Sequence, residues 1–238
     1  MKKIALIFAG GTGSRMGMET PKQFLEIANK TIIIRTIEIF ENCSDIDEIY
    51  VSCIEGWIDY LKQLIAEANI QKVVKIVPGS TTGQLSIFNG LKEAYNNNIN
   101  DEKAIILIHD GVRPFIDEDL IKRNIECVIK NGCAISSAPA IETIFLVDDN
   151  DNVKQITDRN KSKLARAPQS FYLHDIYNLH LKALSDGIDN FIDNCTMMNY
   201  YNKELFVVET SSDNIKITTP KDYYIAQCIF EKGDEKNG

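Results

Sequence analysis

Short apolar runs alternate with amphipathic stretches over the first two-thirds of the chain. The amphipathic stretches repeat apolar residues at spacings of three and four, as at Leu85, Phe88 and Leu91, which predicts helices. The apolar runs have no polar face, which is typical of strands that are buried on both sides. The pattern therefore predicts an α/β fold, a mostly parallel sheet with helices on both faces. Five runs are predicted strands: Lys3 to Phe8, Glu48 to Ile54, Val73 to Val77, Ala104 to His109 and Cys133 to Ala138.

The pattern changes near Pro139. Residues Glu142 to Val147 and Asn152 to Thr157 are strand-like, and an acidic, turn-rich tip separates them. This predicts a β-hairpin at about 139–166 that projects from a single domain, residues 1–238, as an arm suited to dimerisation. The α/β pattern then resumes with a strand at Gln169 to Leu173, a helix around Asp175 to Leu184, a strand at Leu205 to Val208 and a closing helix that begins at Pro220.

Composition excludes several classes of protein. Hydrophobic residues make up 44% and charged residues 25% of the chain, as in ordinary soluble domains. No apolar run approaches the ~18 residues of a membrane span, and the N-terminus leads straight into a strand, so we expect a cytoplasmic protein. A net charge of -8 argues against a nucleic-acid partner. The cysteines and histidines show no spacing typical of a metal site.

A glycine-rich turn follows the first predicted strand, in the segment Gly10-Gly11-Thr12-Gly13-Ser14-Arg15. A backbone that wraps an anion must present consecutive N–H groups, often at positive φ, and glycine permits both. Arg15 and then Lys22, which follows Pro21, add full positive charges. The segment therefore predicts a phosphate site.

Two familiar phosphate motifs do not fit this turn. The P-loop requires Lys-Ser or Lys-Thr after a glycine at a fixed spacing, and the turn has neither. The dinucleotide fingerprint would need a third glycine where Met16 stands. It would also need an acidic residue at the end of the second strand, about 20 positions on, but that strand lies too far downstream. The predicted phosphate site is therefore of another kind.

Two further loops are expected at the same rim, because ligands of parallel sheets collect at the carboxyl ends of the strands. The third predicted strand is followed by the hydroxyl-rich segment Pro78-Gly79-Ser80-Thr81-Thr82-Gly83. The fourth is followed by His109-Asp110-Gly111-Val112-Arg113-Pro114. We expect both loops to meet the glycine turn.

With these motifs in order, the chain resembles the cytidylyltransferases that act on small polyol phosphates. The family includes 2-C-methyl-D-erythritol 4-phosphate and ribitol-5-phosphate cytidylyltransferases. The resemblance runs from about Lys3 to Phe230 and implies a Rossmann-like nucleotidyltransferase fold with a β-hairpin dimerisation arm. It rests on the glycine turn, Pro21-Lys22-Gln23-Phe24, His109-Asp110-x-x-Arg113-Pro114, Asp158-Arg159, Pro168-Gln169 and Asp213-Asn214-Ile215-Lys216.

The resemblance implies a role for each matching residue. Arg15 and Lys22 would be catalytic, stabilising the transition state at the α-phosphate of CTP. Arg159, reaching into the partner subunit of a homodimer, and Lys216 would hold the phosphate of the acceptor, with Thr143 and Asp193 beside them. Asp110 would also contact Mg²⁺. The implied CTP-binding residues are Ile7, Phe8, Ala9, Gly10, Gly11, Gly13, Gly79, Ser80, Thr81, Ser86, Asp110 and Gly111.

Structural roles remain open for several of these residues. Lys22 could be a solvated loop lysine, and Thr143 a strand threonine without a ligand. Asp110 and Asp193 could cap helices, and Arg113 could brace its loop instead of touching substrate.

The implied reaction is transfer of CMP from CTP to a polyol phosphate, with release of pyrophosphate. The opening Ala9-Gly10-Gly11 matches the ribitol-phosphate branch, so we expect CDP-ribitol, for a surface polymer such as teichoic acid or capsule. Gly83, Leu85 and Ile192 replace the arginine, acidic residue and threonine that are usual in the methylerythritol branch. Three alternatives stay open: that branch itself, a sugar-phosphate transferase using another nucleotide, and a noncatalytic nucleotide-binding regulator.

Overall fold

The computed structural model describes residues 1–11 and 20–236, with side chains as far as residue 231. Its strands and helices alternate along most of the chain, as the apolar pattern predicts. The strands are β1 (Lys3–Ala9), β2 (Glu26–Ile27), β3 (Lys30–Thr31), β4 (Glu48–Cys53), β5 (Val73–Pro78), β6 (Ile105–Asp110), β7 (Cys133–Pro139), β8 (Phe145–Val147), β9 (Val153–Ile156), β10 (Lys163–Tyr172) and β11 (Val207–Glu209). The α-helices are α1 (Ile32–Asn42), α2 (Ile58–Glu67), α3 (Gly83–Asn97), α4 (Glu118–Asn131), α5 (Leu173–Ser185), α6 (Asn194–Tyr200) and α7 (Pro220–Lys236).

Seven strands form one sheet in the order β11-β7-β10-β6-β1-β4-β5. Only β10 runs antiparallel to its neighbours in this sheet, so the predicted mostly parallel sheet is confirmed. The chain passes from β1 outward to β4 and β5 and then returns to β6 on the other side of β1. The strand order therefore reverses between β1 and β6, and such a reversal opens a crevice at the carboxyl ends of the strands.

Two apolar layers cover the sheet, which explains why its strands read as continuous hydrophobic runs. In β1, Ala5 and Ile7 belong to one buried cluster, and Ile4 and Leu6 belong to the other. Helices α1, α2 and α4 supply the first layer, and α3, α5 and α6 supply the second. Successive strand side chains point to opposite faces, so both neighbours along β1 must be apolar.

The predicted hairpin is present as the antiparallel pair β8 and β9, with Phe145 opposite Ile156. Its first strand begins at Phe145, later than predicted. The last backbone bond of the ladder runs from Thr157 N to Ile144 O, and the chain then turns into a short 3₁₀-helix, Arg159–Lys161. Thr143 therefore lies in an irregular segment at the base of the hairpin, not in a strand.

Two later strands differ from their predicted bounds. The strand predicted at Gln169 to Leu173 starts at Lys163, because β10 pairs with β7 along its first residues as well. A bulge between Ala165 and Gln169 interrupts this pairing around Pro168, which has no N–H to donate. The strand predicted at Leu205 to Val208 occupies Val207–Glu209. Apolar runs mark the buried part of a strand better than its ends.

No helix within the described part of the chain is both long and apolar enough to cross a lipid bilayer. The cytoplasmic location expected from the sequence stays a prediction.

Candidate active site

The glycine turn and the loop after β5 meet at the carboxyl edge of the sheet. A Cβ atom on Gly10 would lie 2.7 Å from Ser86 Oγ and 3.2 Å from the Cα of Gly79. A Cβ on Gly79 would in turn lie 2.8 Å from the Cα of Gly10. Only glycine permits this approach of two backbones, so the predicted convergence is confirmed. Gly13 and Arg15 lie outside the described residues.

Gln23 fixes the described start of the glycine turn. It is buried, and its Nε2 donates to Ala9 O at 2.7 Å and to Gly11 O at 3.1 Å. Its neighbour Lys22 begins the short 3₁₀-helix Lys22–Phe24 and is partly buried. The side-chain bonds of Gln23 therefore hold the neighbouring Lys22 close to Gly11. The assigned role of Lys22 at the α-phosphate stays a prediction.

The loop between β5 and α3 is organised by hydroxyl groups. Thr82 caps α3 by accepting from Leu85 N at 3.1 Å. Ser86 Oγ accepts from Ser80 N at 2.9 Å and donates to Thr82 O at 2.8 Å. These bonds leave Ser80 and Thr81 exposed at the rim. The backbone N–H of Ser80 is held inside the loop by Ser86, and the assigned roles of Ser80, Thr81 and Ser86 in CTP binding stay predictions.

The third loop reaches the same rim through Gly111. A Cβ on Gly111 would lie 3.0 Å from Ala9 Cβ, and its N–H donates to Phe8 O at 3.0 Å. Ile7, Phe8 and Ala9, the last residues of β1, therefore lie directly beside the end of β6. Asp110 is the final residue of β6, where it pairs in register with Phe8, so it does not cap a helix.

Asp110 is the centre of a buried ionic network. Arg113 donates from Nε to Asp110 Oδ2 at 2.7 Å, and Lys216 forms an ion pair with Oδ1. Arg113 also donates from Nη1 to Asn214 O at 2.8 Å, and Asn214 Nδ2 donates to Ala167 O at 2.7 Å. Arg113 thus braces its own loop and the segment that carries Lys216.

Neighbouring charges keep Asp110 ionised, whereas the adjacent His109 is neutral. Burial would raise the pKa of the Asp110 carboxyl, but the positive charges of Lys216 and Arg113 hold that pKa well below its ordinary value. Burial lowers the pKa of the neighbouring His109 to about 4, and its Nε2–H donates to Arg113 O at 3.0 Å. His109 is therefore a neutral structural group, whereas Asp110 is an anion at neutral pH.

A cleft of about 340 Å³ opens beside Asp110, between the ends of β1 and β6, the bulge of β10 and the start of α6. Lys216 and Asp193 lie on its walls with Asp110. Asp193 caps α6 by accepting from Thr196 N at 2.8 Å, and Gln169 Nε2 donates to its Oδ2 at 3.2 Å. Asp193 is therefore the helix cap that the sequence left open, and its carboxylate also lines the cleft. These partners also offset the effect of burial, so the pKa of Asp193 is lowered.

The loop that carries Ile192 and Asp193 is bonded to the start of α3. Gln84, which is buried, donates to Ile188 O at 3.0 Å and accepts from Phe191 N at 2.8 Å. Thr82 Oγ1 donates to Asp189 O at 2.6 Å. The expected nucleotide side and acceptor side of the cleft are thus physically joined. Ile192 lines the outer edge of the cleft, where its side chain is 92% exposed.

Two candidate residues are not brought to the cleft within one chain. Arg159 is exposed on the short helix after β9, and Thr143 is exposed at the base of the hairpin. Neither lines the cleft beside Asp110. Their assigned roles stay predictions that require a second subunit.

Sequence reasoning missed two side chains at this site, Gln84 and Arg166. Arg166 lines the cleft from the bulge of β10, two residues before Pro168. A signal was present, since Arg166 is a single cation in the otherwise small, apolar segment Leu164-Ala165-Arg166-Ala167. Gln84 gave none, because a polar residue in the first turn of a helix is ordinary.

No group of three or more histidine, cysteine or acidic side chains in residues 1–11 and 20–231 is arranged to hold a metal ion. Asp110 is the carboxylate to which the sequence assigns a contact with Mg²⁺, and that assignment stays a prediction.

Comparison with known proteins identifies the family of the chain. The family model of 2-C-methyl-D-erythritol 4-phosphate cytidylyltransferase (IspD) matches residues 3–232. A ribitol-5-phosphate cytidylyltransferase from Vibrio parahaemolyticus is 49% identical over 232 residues, covering 96% of this chain and 95% of that protein. A 2-C-methyl-D-erythritol 4-phosphate cytidylyltransferase from Clostridium botulinum is 34% identical over 231 residues, covering 97% and 98%. The crystal structure of 4-diphosphocytidyl-2C-methyl-D-erythritol synthase from Anaerococcus prevotii matches with a TM-score of 0.83 at 27% identity, covering 97% and 96%. The chain therefore belongs to the IspD family of cytidylyltransferases and is a nucleotidyltransferase.

Proposed function

We propose that this nucleotidyltransferase transfers CMP from CTP to D-ribitol 5-phosphate, giving CDP-ribitol and pyrophosphate. The observation that carries the proposal is the difference between the two branches: 49% identity to a ribitol-5-phosphate cytidylyltransferase against 34% to a methylerythritol-phosphate one. Ala9-Gly10-Gly11 and Ile192, the departures seen in the sequence, agree with this choice. A CDP-activated polyol is a donor for polymer synthesis, so we place the product in the assembly of a surface polymer such as teichoic acid or capsule.

The chemistry needs no nucleophile from the protein. A phosphate oxygen of the acceptor attacks the α-phosphorus of CTP in line, the new P–O bond forms as the bond to the β-phosphate bridge breaks, and pyrophosphate leaves. What the protein must supply is positive charge at the α-phosphate and alignment of two anions that repel each other. In this proposal Arg15 and Lys22 supply the charge, and the rim of β1, β5 and β6 holds the nucleotide.

Magnesium is part of the proposal. Its donors would be phosphate oxygens, water and the Asp110 carboxylate, a hard oxygen ligand that stays ionised because its pKa is depressed. Asp110 also pairs with Arg113 and Lys216, which would hold its carboxylate in place beside the ion. When bound, the ion would neutralise charge on the triphosphate.

We also propose a homodimer with shared active sites. The hairpin exposes a row of large apolar side chains on both of its strands: Phe145, Leu146, Val147, Val153 and Ile156 are each at least half exposed. Ile141, at its base, is 75% exposed. An apolar surface of this kind is typical of a protein interface. A second subunit that covers it would also bring Arg159 toward a neighbouring cleft.

A substrate panel tests the acceptor. Pyrophosphate release is measured with CTP and Mg²⁺ and, one at a time, D-ribitol 5-phosphate, 2-C-methyl-D-erythritol 4-phosphate and ribitol, which lacks the attacking phosphate. Turnover with ribitol 5-phosphate at least tenfold faster than with the methylerythritol compound is expected. The opposite preference would move the chain to the isoprenoid branch, and equal rates with UTP or GTP would refute selection of CTP.

The role proposed for Lys22 has its own test. Lys22→Ala should reduce turnover by about 10²- to 10³-fold.

A further inference from the structure

The cleft beside Asp110 carries an excess of positive charge. Its described walls contain three cations, Arg113, Arg166 and Lys216, and two carboxylates, Asp110 and Asp193. Arg113 and Lys216 both pair with Asp110. Both carboxylate oxygens of Asp193 accept hydrogen bonds, one from the backbone N–H of Thr196 in α6 and one from Gln169 Nε2. Arg166 is therefore the cation of this cleft that has no counter-charge within the described chain.

The guanidinium of Arg166 is only partly in contact with water. Its Nε is buried and meets no hydrogen-bond acceptor among the described residues. Burial and the nearby positive charge of Arg113 lower the pKa of the Arg166 side chain. A cation without a partner is costly in such a place, and the cost falls when an anion binds beside Arg166.

The position of Arg166 also suits an acceptor instead of the nucleotide. Arg166 comes from the bulge of β10, and Asp193 and Ile192 face the same cleft from the start of α6. Gly10 and the Ser80 loop lie on the other side of Asp110, at the ends of β1 and β5. An arginine presents a planar fork of donors that matches a phosphate in two-point contact.

Accepting the proposed function, we propose that Arg166 binds the phosphate group of the acceptor alcohol phosphate, and that it does so from the same chain that binds CTP. The acceptor phosphate would lie between Arg166 and Lys216, where its oxygen can face the α-phosphate of CTP. Arg166 thereby becomes a specificity residue that separates phosphorylated from unphosphorylated polyols.

The first test varies the side chain and measures each substrate separately. Arg166→Gln removes the charge and Arg166→Lys keeps it. The matched control is Arg123→Gln, which changes a partly exposed arginine on α4 outside the cleft. With ribitol 5-phosphate, Arg166→Gln should raise the KM for the acceptor about ten- to a hundredfold and change the KM for CTP less than twofold. Arg166→Lys should recover part of the loss. An unchanged KM for the acceptor would overturn the proposal.

A second test does not depend on the identity of the acceptor. With the nucleotide site filled by CTP and Mg²⁺, inorganic phosphate is titrated and binding is followed by calorimetry. The expected result is at least tenfold weaker phosphate binding in Arg166→Gln than in the wild type and in Arg123→Gln. Equal binding in all three would overturn the proposal even if ribitol 5-phosphate were the substrate. Weaker binding would support it even if the substrate panel identified another alcohol phosphate.

A merely structural arginine would behave differently. Because Arg166 has no partner within the described chain, Arg166→Gln should leave the midpoint of urea unfolding unchanged or raise it. A lower midpoint together with unchanged phosphate binding would assign Arg166 to stability and refute the role in binding.

Discussion

Replacing Arg113 by alanine should destabilise the fold strongly, because both of its bonds are buried. Arg113 donates from Nε to Asp110 Oδ2 at 2.7 Å and from Nη1 to Asn214 O at 2.8 Å. The side chains of Arg113 and Asp110 are only 8% and 7% exposed. Removing one partner of such a pair leaves the other charge in a poorly solvated place.

Arg123 is a matched control for this experiment. It donates from Nε to Asp119 Oδ2 at 2.7 Å and from Nη1 to Glu209 O at 2.6 Å, so its two bonds have nearly the same geometry. The side chains of Arg123 and Asp119 are 39% and 72% exposed. Water can therefore replace the lost guanidinium at this second site, but it cannot at the first.

The expected sizes follow from this difference in burial. Breaking a buried ion pair from one side typically costs about 3 to 5 kcal/mol, and the lower end applies here because Lys216 still neutralises Asp110. The carbonyl of Asn214 loses a charged donor as well, which adds about 1 kcal/mol. An exposed pair contributes about 0 to 1 kcal/mol. Arg113→Ala should thus lower the free energy of unfolding by about 3 to 4 kcal/mol, and Arg123→Ala by less than about 1 kcal/mol.

Equilibrium unfolding in urea, followed by circular dichroism at pH 7.5, measures both variants against the wild type. The double variant Asp110→Asn with Arg113→Ala should cost less than the sum of the two single changes, since the carboxylate that needs the guanidinium is gone. If Arg113→Ala and Arg123→Ala lost the same free energy, burial would not be the source of the stability of the network, and the reasoning would fail.

Two further predictions concern pH and assembly. Burial lowers the pKa of His109 and of His180 from 6.5 to about 4, so both are neutral in the fold, and acidification protonates the unfolded chain first. The free energy of unfolding should therefore fall by about 2 kcal/mol per histidine between pH 7 and pH 5. Urea titrations of His180→Gln at the two pH values should show a fall that is smaller by about this amount. An equal fall in His180→Gln and in the wild type would contradict the prediction. For the proposed dimer, Phe145→Glu on the hairpin should sediment as a monomer, whereas Ile99→Glu, equally apolar and 50% exposed but far from the hairpin, should keep the mass of the wild type. Equal masses for the two variants would argue against the hairpin as the interface.

The sheet could be predicted from the sequence because a strand that is buried on both faces is a continuous apolar run. Ile4, Leu6 and Ile7 must all be apolar, since neighbours along β1 face different cores. The rim of the site could be predicted for a related reason, because parallel strands bring the loops after them to one edge. The start of β10 could not, because its first residues are exposed and have no apolar pattern.

The charges of the site required the structure. A sequence shows that Asp110, Arg113, Arg166 and Lys216 are charged, but not which charges neutralise each other. Lys216, resembling a residue that holds the acceptor phosphate, turns out to share Asp110 with Arg113. Arg166, a single cation in a short apolar segment, turns out to be the unpaired cation of the cleft among the described residues. Counter-charge is a property of tertiary contacts between distant segments, so listing the cations of the motifs does not show which of them is unpaired in this chain. The proposed role falls to Arg166 because a partly buried cation without an anion among the described residues gains most in free energy when an anionic substrate binds.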